Sequence, residues 1–496
     1  MKKNLLLILT LCLMALTVSA QHKREFRGAW IQCVNGQFQG MSPAKMQETL
    51  TYQLNKLQKM GVNAIIFQVR AECDALYPSP YEPWSRFLTG VQGRPPQPYW
   101  DPLQWMITEC HKRGMELHAW INPFRARTKT TSALAANHIA VRQPNAAFQY
   151  DGFLILNPAY HSNRTYICQV ASDIVRRYDV DGFHIDDYFY PYPVEGQTIP
   201  DMQDYMNLHN GIPTIGDWRR FNVNTFIKQL SDSIHAVKPW VKFGVSPFGI
   251  YRNKKNDPVN GSETAGLQNY DELYADVMLW VNNGWIDYCV PQVYWQMGHP
   301  TADYTTLIKW WNKYCSKRPL FIGEDIERTV KYADPADPTR HQMMAKYRLH
   351  DQMRNVNGTV LWYAKAAVDD VGNYGTMLEK NYWRYPALQP LMPFIDGKAP
   401  AKVYGLGTIW TGDGYMLVWE APQSRNWREA AYKYVVYRFA KGERIDIENP
   451  SHIVAITKAP YYKLPFDNGR TKYTYVVTAL DRMSNESMPA KKKVKL

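Results

Sequence analysis

Along residues 21–395, short apolar runs alternate with longer stretches in which apolar positions recur every third or fourth residue. The runs read as buried strands and the stretches as amphipathic helices. The strands are FRGAWIQCV (26–34), NAIIFQVR (63–70), MELHAWINP (115–123), VDGFHID (180–186), VKFGVSPF (241–248), IDYCVPQVYW (286–295), PLFIGEDI (319–326) and GTVLWYAK (358–365). One helical stretch, SPAKMQETLTYQLNKLQKMG, carries its own punctuation: Ser42 as N-cap, Pro43 in the first turn and Gly61 as the stop. Eight strands, each followed by a helical pattern, predict an α/β fold, a (β/α)8 TIM barrel over residues 21–395. An open doubly wound sheet is the alternative. It usually carries a glycine-rich turn after its first strand, and none is present.

The pattern changes after PFIDGKAPA. Residues 398–496 hold no long helical stretch but several short alternating strands, among them GYMLVWEAP, AAYKYVVYRF and TKYTYVVTALDR. Trp419 early in this segment and Tyr473 before its last strands suit a small all-β sandwich. The segment resembles a fibronectin type III domain, a fold often used as a spacer.

The first twenty residues are a third kind of pattern. Lys2 and Lys3 precede an apolar core from Leu5 to Leu16, and Val18-Ser19-Ala20 forms a small-residue cleavage site. This predicts a signal peptide and a protein exported to the periplasm or beyond, without stable membrane insertion. The chain carries a net charge of +13, and +11 once Lys2 and Lys3 leave with the leader. Such a balance suits an acidic polymer. A nucleic-acid partner is not expected, since no recognition element accompanies the charge. Six cysteines follow the leader without a CxxC pair, so no zinc site is expected, and Cys33 with Cys73 is the most plausible disulfide. Nothing in the sequence sets an oligomeric state.

Chemistry concentrates in DGFHIDDYFYP, residues 181–191. A strand rises about 3.3 Å per residue, so Asp181 starts this strand and has a structural role. His184 and Asp186 share one face, opposite Phe183 and Ile185. In a barrel of this kind the C-terminal strand ends form the active mouth. Asp186 is therefore expected to point into it, with Asp187 beside it raising its pKa. A proton donor of this sort is what glycoside hydrolysis needs, together with a second group: a carboxylate or the substrate's own acetamido group. Glu72, Asp74 and Glu324 are the other acids near strand ends, and Glu324 completes the catalytic set with Asp186 and Asp187. A metal reading lacks further spaced ligands. Serine chemistry lacks a GxSxG elbow, and no cysteine lies beside an obvious base. No cofactor is expected.

FRGAWI, QVRAECDALYPSPYEPWS, ELHAWINPFR, LNPAYHSNRTYICQVASDIVRRYDVDGFHIDDYFYP, FGVSPFGIYRN and PQVYWQ together resemble the glycosyl-hydrolase-like family 10 proteins over about residues 24–390. Some members of that family cleave peptidoglycan glycan strands, particularly peptide-free ones. The resemblance implies an exported glycosidase centred on Asp186 and Asp187. By position it places Arg70, Asp74, Asn122, Arg125, His184, Gln292 and Tyr294 along a glycan cleft. From their places after the fourth and sixth strands, Tyr188, Tyr190 and Trp295 are expected as its aromatic walls. The acid in GEDI departs from the family pattern. A glycosidase for dietary or host polysaccharide, or a non-catalytic glycan-binding protein, are the alternative readings.

Overall fold

The computed structural model describes residues 21–496, so the leader expected at residues 1–20 lies outside the described residues. Eight parallel strands close into a barrel: β1 Phe26–Ile31, β2 Ala64–Arg70, β3 Glu116–Ile121, β4 Gly182–Ile185, β5 Lys242–Val245, β6 Tyr288–Cys289, β7 Leu320–Asp325 and β8 Val356–Trp362. Each is the core of a strand read from the sequence. β6 is far shorter than its apolar run because Pro291 has no N–H for the ladder; the run continues only as isolated bridges from Gln292 to Phe248 and Gly323.

Helices follow each strand: α1 Pro43–Met60, α2 Pro102–Lys112, α3 His161–Arg177, α4 Ile215–Val237, α5 Val277–Asn283, α6 Tyr304–Tyr314, α7 Met343–Asp351 and α8 Ala364–Val368. α1 begins and ends as its residues dictate. The Ser42 hydroxyl accepts from the Lys45 N–H, and Gly61 closes the helix at φ 95°, a left-handed conformation that favours glycine. Alternate strand residues divide between two layers. Ile65, Phe67, Leu117, Phe183, Leu320 and Ile322 pack outward against the helices. Phe26, Ala64, Ile66, Tyr288, Val290, Phe321 and Val360 fill the interior with Trp30 and Trp120.

The interior is partly polar. Lys242 Nζ lies 2.6 Å from Glu116 Oε1, and Tyr288 Oη contacts His118 Nδ1 at 2.7 Å and His184 Nδ1 at 3.1 Å. Tyr288 lies across the barrel because Gly244 faces it: a Cβ there would stand 1.9 Å from the ring. Gly182 likewise leaves room for the His118 ring, 2.3 Å from where its Cβ would be.

Residues 404–495 form two antiparallel sheets, with no helix beyond a single turn at Pro450–His452. The strands are β9 Tyr404–Thr411, β10 Gly414–Glu420, β11 Lys433–Ala440, β12 Ile453–Thr457, β13 Tyr461–Lys463, β14 Lys472–Leu480 and β15 Ala490–Lys495. One sheet runs β9-β10-β13 and the other β12-β11-β14-β15, with Trp419 buried between them. This small all-β unit sits on the N-terminal end of the barrel, away from the mouth. Met483 joins the barrel's interior cluster, and Tyr432 donates to Asp181 Oδ1 at 2.8 Å. Asp181 also accepts from the Leu117 N–H at 2.9 Å and contacts His111 Nε2 at 2.8 Å, so it ties the strand base as its position predicts.

All six cysteines of the described chain are free and buried. Cys33 and Cys73 therefore do not form the expected disulfide. Cys73 is drawn instead to Arg70, whose Nη2 lies 3.0 Å from its sulfur.

Candidate active site

Asp186 follows the last residue of β4 and stands at the mouth, buried with 5% exposure. Its surroundings are built outward from β1, β2 and β3. Gln68 accepts from the N–H groups of Cys33 and Val34 at 2.8 and 3.0 Å, which fixes its amide. Its Nε2 donates to Asn122 Oδ1 at 2.6 Å, and Arg125 Nη2 donates to the same oxygen at 2.5 Å. Asn122 is thereby turned so that its Nδ2 donates to Asp186 Oδ2. Asp186 Oδ1 is buried and has no partner. One oxygen is anchored and the other is left for a ligand.

Asp187 points to the other side, where the Tyr192 hydroxyl donates to its Oδ2. Burial pushes Asp186 up to about 7, and the neighbouring Asp187 adds to the shift. Burial also raises Asp187, to about 6, while Tyr192 and Gln292 oppose the rise. Two adjacent carboxyls thus hold one proton between them near neutral pH. Beneath Asp186, His184 Nε2 contacts Ser246 Oγ at 2.9 Å. Burial keeps the His184 imidazole neutral, well below its usual range. His184 supports the site from inside the barrel rather than lining the cleft.

The walls are aromatic. Half-buried Trp362, the last residue of β8, meets Trp30 at 6.1 Å and Trp120 at 6.3 Å, edge to face. Tyr294 lies nearly parallel to it at 6.2 Å. Tyr188 stacks on Tyr192 at 5.4 Å, with the Arg125 guanidinium 5.2 Å from its ring centre. Trp295 is half-buried and packs edge-on to Phe248 at 5.4 Å. Gln292 Nε2 donates to Ser246 O at 2.9 Å.

Several expected residues lie elsewhere. Arg70 is fully buried, and its N–H groups are taken by Glu82, Asn122 O, Pro123 O and Cys73, leaving none for a glycan. Strand alternation misplaces it because the β2–β3 register shifts between Gln68 and Arg70. Asp74 is buried in the loop after β2, accepting from Glu72 N at 3.1 Å and Gln92 Nε2 at 3.3 Å. Burial would raise Glu72, but Arg86 at 2.7 Å and Thr128 bring it down, so it is committed as an anion. Tyr190 is not a wall: it is 1% exposed.

Glu324 is the largest correction. It shares a face with Leu320 and Ile322, which pack outward, while Phe321 and Gly323 face the interior. It lies among the helices, bonded by Tyr304 and 3.0 Å from Lys346 Nζ. Burial raises it to about 7 despite Lys346. A perturbed carboxyl outside the cleft is a structural group, not a second catalytic acid.

Trp362, Tyr192 and Ser246 were not among the expected site residues. Trp362 shares parity with Val360 at a strand end, a signal present in the sequence. Tyr192 had none, since a loop brings it back onto Asp187. Among the described residues no group of three His, Cys, Asp or Glu side chains is placed to hold a metal ion.

The profile of the family described as glycosyl hydrolase-like 10 matches residues 25–336. The glycosyl hydrolase YngK of Bacillus subtilis is 36% identical, over 96% of this chain and 94% of its own length. The glycosyl hydrolase DigH of Escherichia coli is 34% identical over 64% of this chain and 75% of its own. Among solved structures, the PgaB glycoside hydrolase domain of Bordetella bronchiseptica is 11% identical with a TM-score of 0.48, covering 74% of this chain and 100% of that one. A likeness that distant carries no functional information. The sequence relationships do: this chain belongs to the glycosyl hydrolase-like 10 family and is a glycoside hydrolase.

Proposed function

We propose that this enzyme is exported and cleaves a bacterial cell-wall glycan, or a related polymer of N-acetylated amino sugars, with Asp186 as general acid. The observation that carries the reading is the Asp186 carboxyl: anchored through one oxygen, unpartnered at the other, and raised to about 7 in an aromatic mouth. Protonated Asp186 gives its proton to the glycosidic oxygen as the C–O bond breaks, and the leaving sugar departs neutral. Positive charge develops at the anomeric carbon. Asp187, ionised when Asp186 holds the proton, stabilises that charge.

The other acids near the mouth are engaged: Glu72 with Arg86, Asp74 within its loop, and Glu324 outside the barrel. Asp325 accepts from the Arg328 N–H at 2.9 Å as a helix cap. This supports the substrate's own acetamido oxygen as the group that closes on the anomeric carbon, which requires an N-acetylated sugar. Water then adds to that carbon as its bond to the acetamido oxygen breaks, which restores the acetamide, and the water's proton returns to Asp186. The small all-β unit is read as a fibronectin type III-like module, supported by its three- and four-stranded sheets.

The test is reducing-end release from peptide-free cell-wall glycan, with mannan as a comparison. Wild type is expected to cleave the first, and Asp186→Asn to lose about 10²- to 10⁴-fold in kcat. Unchanged turnover in the variant would remove Asp186 from the mechanism. Cleavage of mannan but not of wall glycan would establish the dietary-polysaccharide alternative instead.

A further inference from the structure

A three-stranded antiparallel sheet of Arg125–Arg127, Ala147–Tyr150 and Phe153–Leu156 is inserted between β3 and α3, on the mouth side of the barrel. Its hairpin turns at Asp151 and Gly152, both left-handed at φ 49° and 78°, the combination that suits a two-residue hairpin. Tyr150 and Phe153 therefore stand directly opposite each other. The loop after β4 is bound to this hairpin. The Val194 N–H donates to Tyr150 Oη at 2.8 Å, and the Asp151 N–H donates to Gln197 Oε1 at 3.2 Å. Within that loop Tyr192 stands between Pro191 and Pro193, which restrict its backbone.

Between hairpin and loop lies a cavity of about 230 Å³. Tyr150, Phe153, Tyr188, Tyr192 and Val194 line it, together with Arg125. Pockets for drug-sized ligands run from about 300 to 1,000 Å³, so this one has room for a single ring. Its walls are mainly aromatic faces, which match the apolar faces of a pyranose.

Two of the lining residues also hold the acid pair. Arg125 Nη2 donates to Asn122 Oδ1, and Asn122 in turn donates to Asp186; the Tyr192 hydroxyl donates to Asp187. The cavity is thus continuous with the site, through one residue on the Asp187 side and two on the Asp186 side. Arg125 is only 8% exposed, and its Nε is taken by Ala71 O at 3.0 Å. Among the described residues its Nη1 makes no hydrogen bond. A buried guanidinium nitrogen without an acceptor is a place for a ligand oxygen.

We propose that this cavity is a subsite for one sugar ring of the glycan, beside the ring whose bond is cut, and that Tyr192 is the positioning residue that joins it to Asp187. The proposal rests on Asp186 and Asp187 being the acid pair. The bound ring lies against Phe153 and Tyr188, and Arg125 Nη1 donates to one of its oxygens. Tyr192 is stacked on Tyr188 at 5.4 Å and 9°, so a ring in the cavity packs both tyrosines and holds the Tyr192 hydroxyl on Asp187. That hydrogen bond favours ionised Asp187, and the proton of the pair stays on Asp186. Binding of a ring that does not react thereby serves the one that does. Asp187 is faced by Asp186, by Arg125 after β3, by Tyr188 and Tyr192 after β4, and by Gln292 and Tyr294 after β6. Tyr192→Phe leaves every charged one of these in place.

The test is steady-state kinetics of the full chain on peptide-free wall glycan, or on mannan should that be the polymer cut. Val194→Phe fills the cavity from the loop side. Phe153→Leu removes a ring face but keeps an apolar side chain. Each should raise KM about fivefold, with thermal unfolding as the check that the variant is folded. Tyr192→Phe keeps the ring and loses the hydroxyl. Its KM should stay within about twofold of wild type, while the acidic limb of kcat/KM moves from about 6 to about 7 and kcat/KM at pH 6 falls about fivefold. An unchanged KM in both Val194→Phe and Phe153→Leu would overturn the subsite. An acidic limb that stays in place in Tyr192→Phe would overturn its positioning role, and turnover of neither polymer would overturn the whole proposal. Full activity of Asp186→Asn would strike the acid pair, and with it the role of Tyr192, while KM in the two cavity variants would still decide the subsite.

Discussion

Asp186 and Asp187 are adjacent in sequence but belong to different surroundings. One is held by the Asn122 amide and the other by the Tyr192 hydroxyl. With apparent values of about 7 and about 6 for the pair, the form with Asp187 ionised and Asp186 protonated is most populated between them. The pH–rate profile of kcat/KM should therefore peak between about 6 and 7 and fall on the alkaline side as Asp186 deprotonates. A profile flat through pH 8 would contradict its role as the acid. The same shift has a cost in stability. An unfolded aspartate titrates near 3.9, whereas folded Asp186 keeps its proton to about 7. Stability is thus undiminished below about pH 4 and declines as pH rises to about 7. Asp186→Asn removes that decline. It should stabilise the fold at pH 8 by something on the order of 2 kcal/mol, with the gain gone at pH 4, read by denaturant unfolding at both pH values.

Strand parity decides which residues reach the mouth. On β3 and β4 the alternation holds, and Asn122 and Asp186 arrive where their positions predict. On β2 the shift between Gln68 and Arg70 breaks it, and Arg70 becomes a buried brace between Glu82 and the β3 loop. On β7 the alternation holds, but it places Glu324 on the outer face, with Lys346 and Tyr304. Glu324→Gln should leave kcat within about twofold of wild type while destabilising the fold by about 2 kcal/mol, because Lys346 loses its buried counter-charge. Lys346 also donates to Trp295 O at 3.0 Å, so KM is the more sensitive readout of any movement in that wall. A loss of kcat beyond about a hundredfold would put Glu324 back into the chemistry.

The two parts of the molecule share their cores. Met483 belongs to the barrel's interior cluster together with Met392, and Leu388 packs with Val435, Tyr437 and Val476 of the sheets. Lys23 reaches Glu486 at 2.6 Å and Glu448 at 2.9 Å. A chain ending at residue 397 would expose these apolar groups and leave Asp181 without Tyr432. It should melt several degrees below the full chain in thermal unfolding, and the full chain should show one cooperative transition. Identical melting of the shortened chain would make the sheets an independent spacer. Among the described residues no helix is long and apolar enough to cross a membrane.

What the sequence determined by itself was whatever short-range periodicity carries: eight strands and their helices, the caps of α1, the change to β structure after residue 397, and the place of the Asp186 carboxyl at a strand end. Those follow from where apolar side chains must be buried, and burial is local in a strand or helix. The tertiary structure decided the partners. The shifted register that withdrew Arg70, the loop that returned Tyr192 to Asp187, and the amide relay from Gln68 through Asn122 each join groups far apart in the chain. Hydrogen bonds and desolvation act over a few ångströms of space, whatever the separation in sequence, so the raised pKa of Asp186 is a property of the folded mouth.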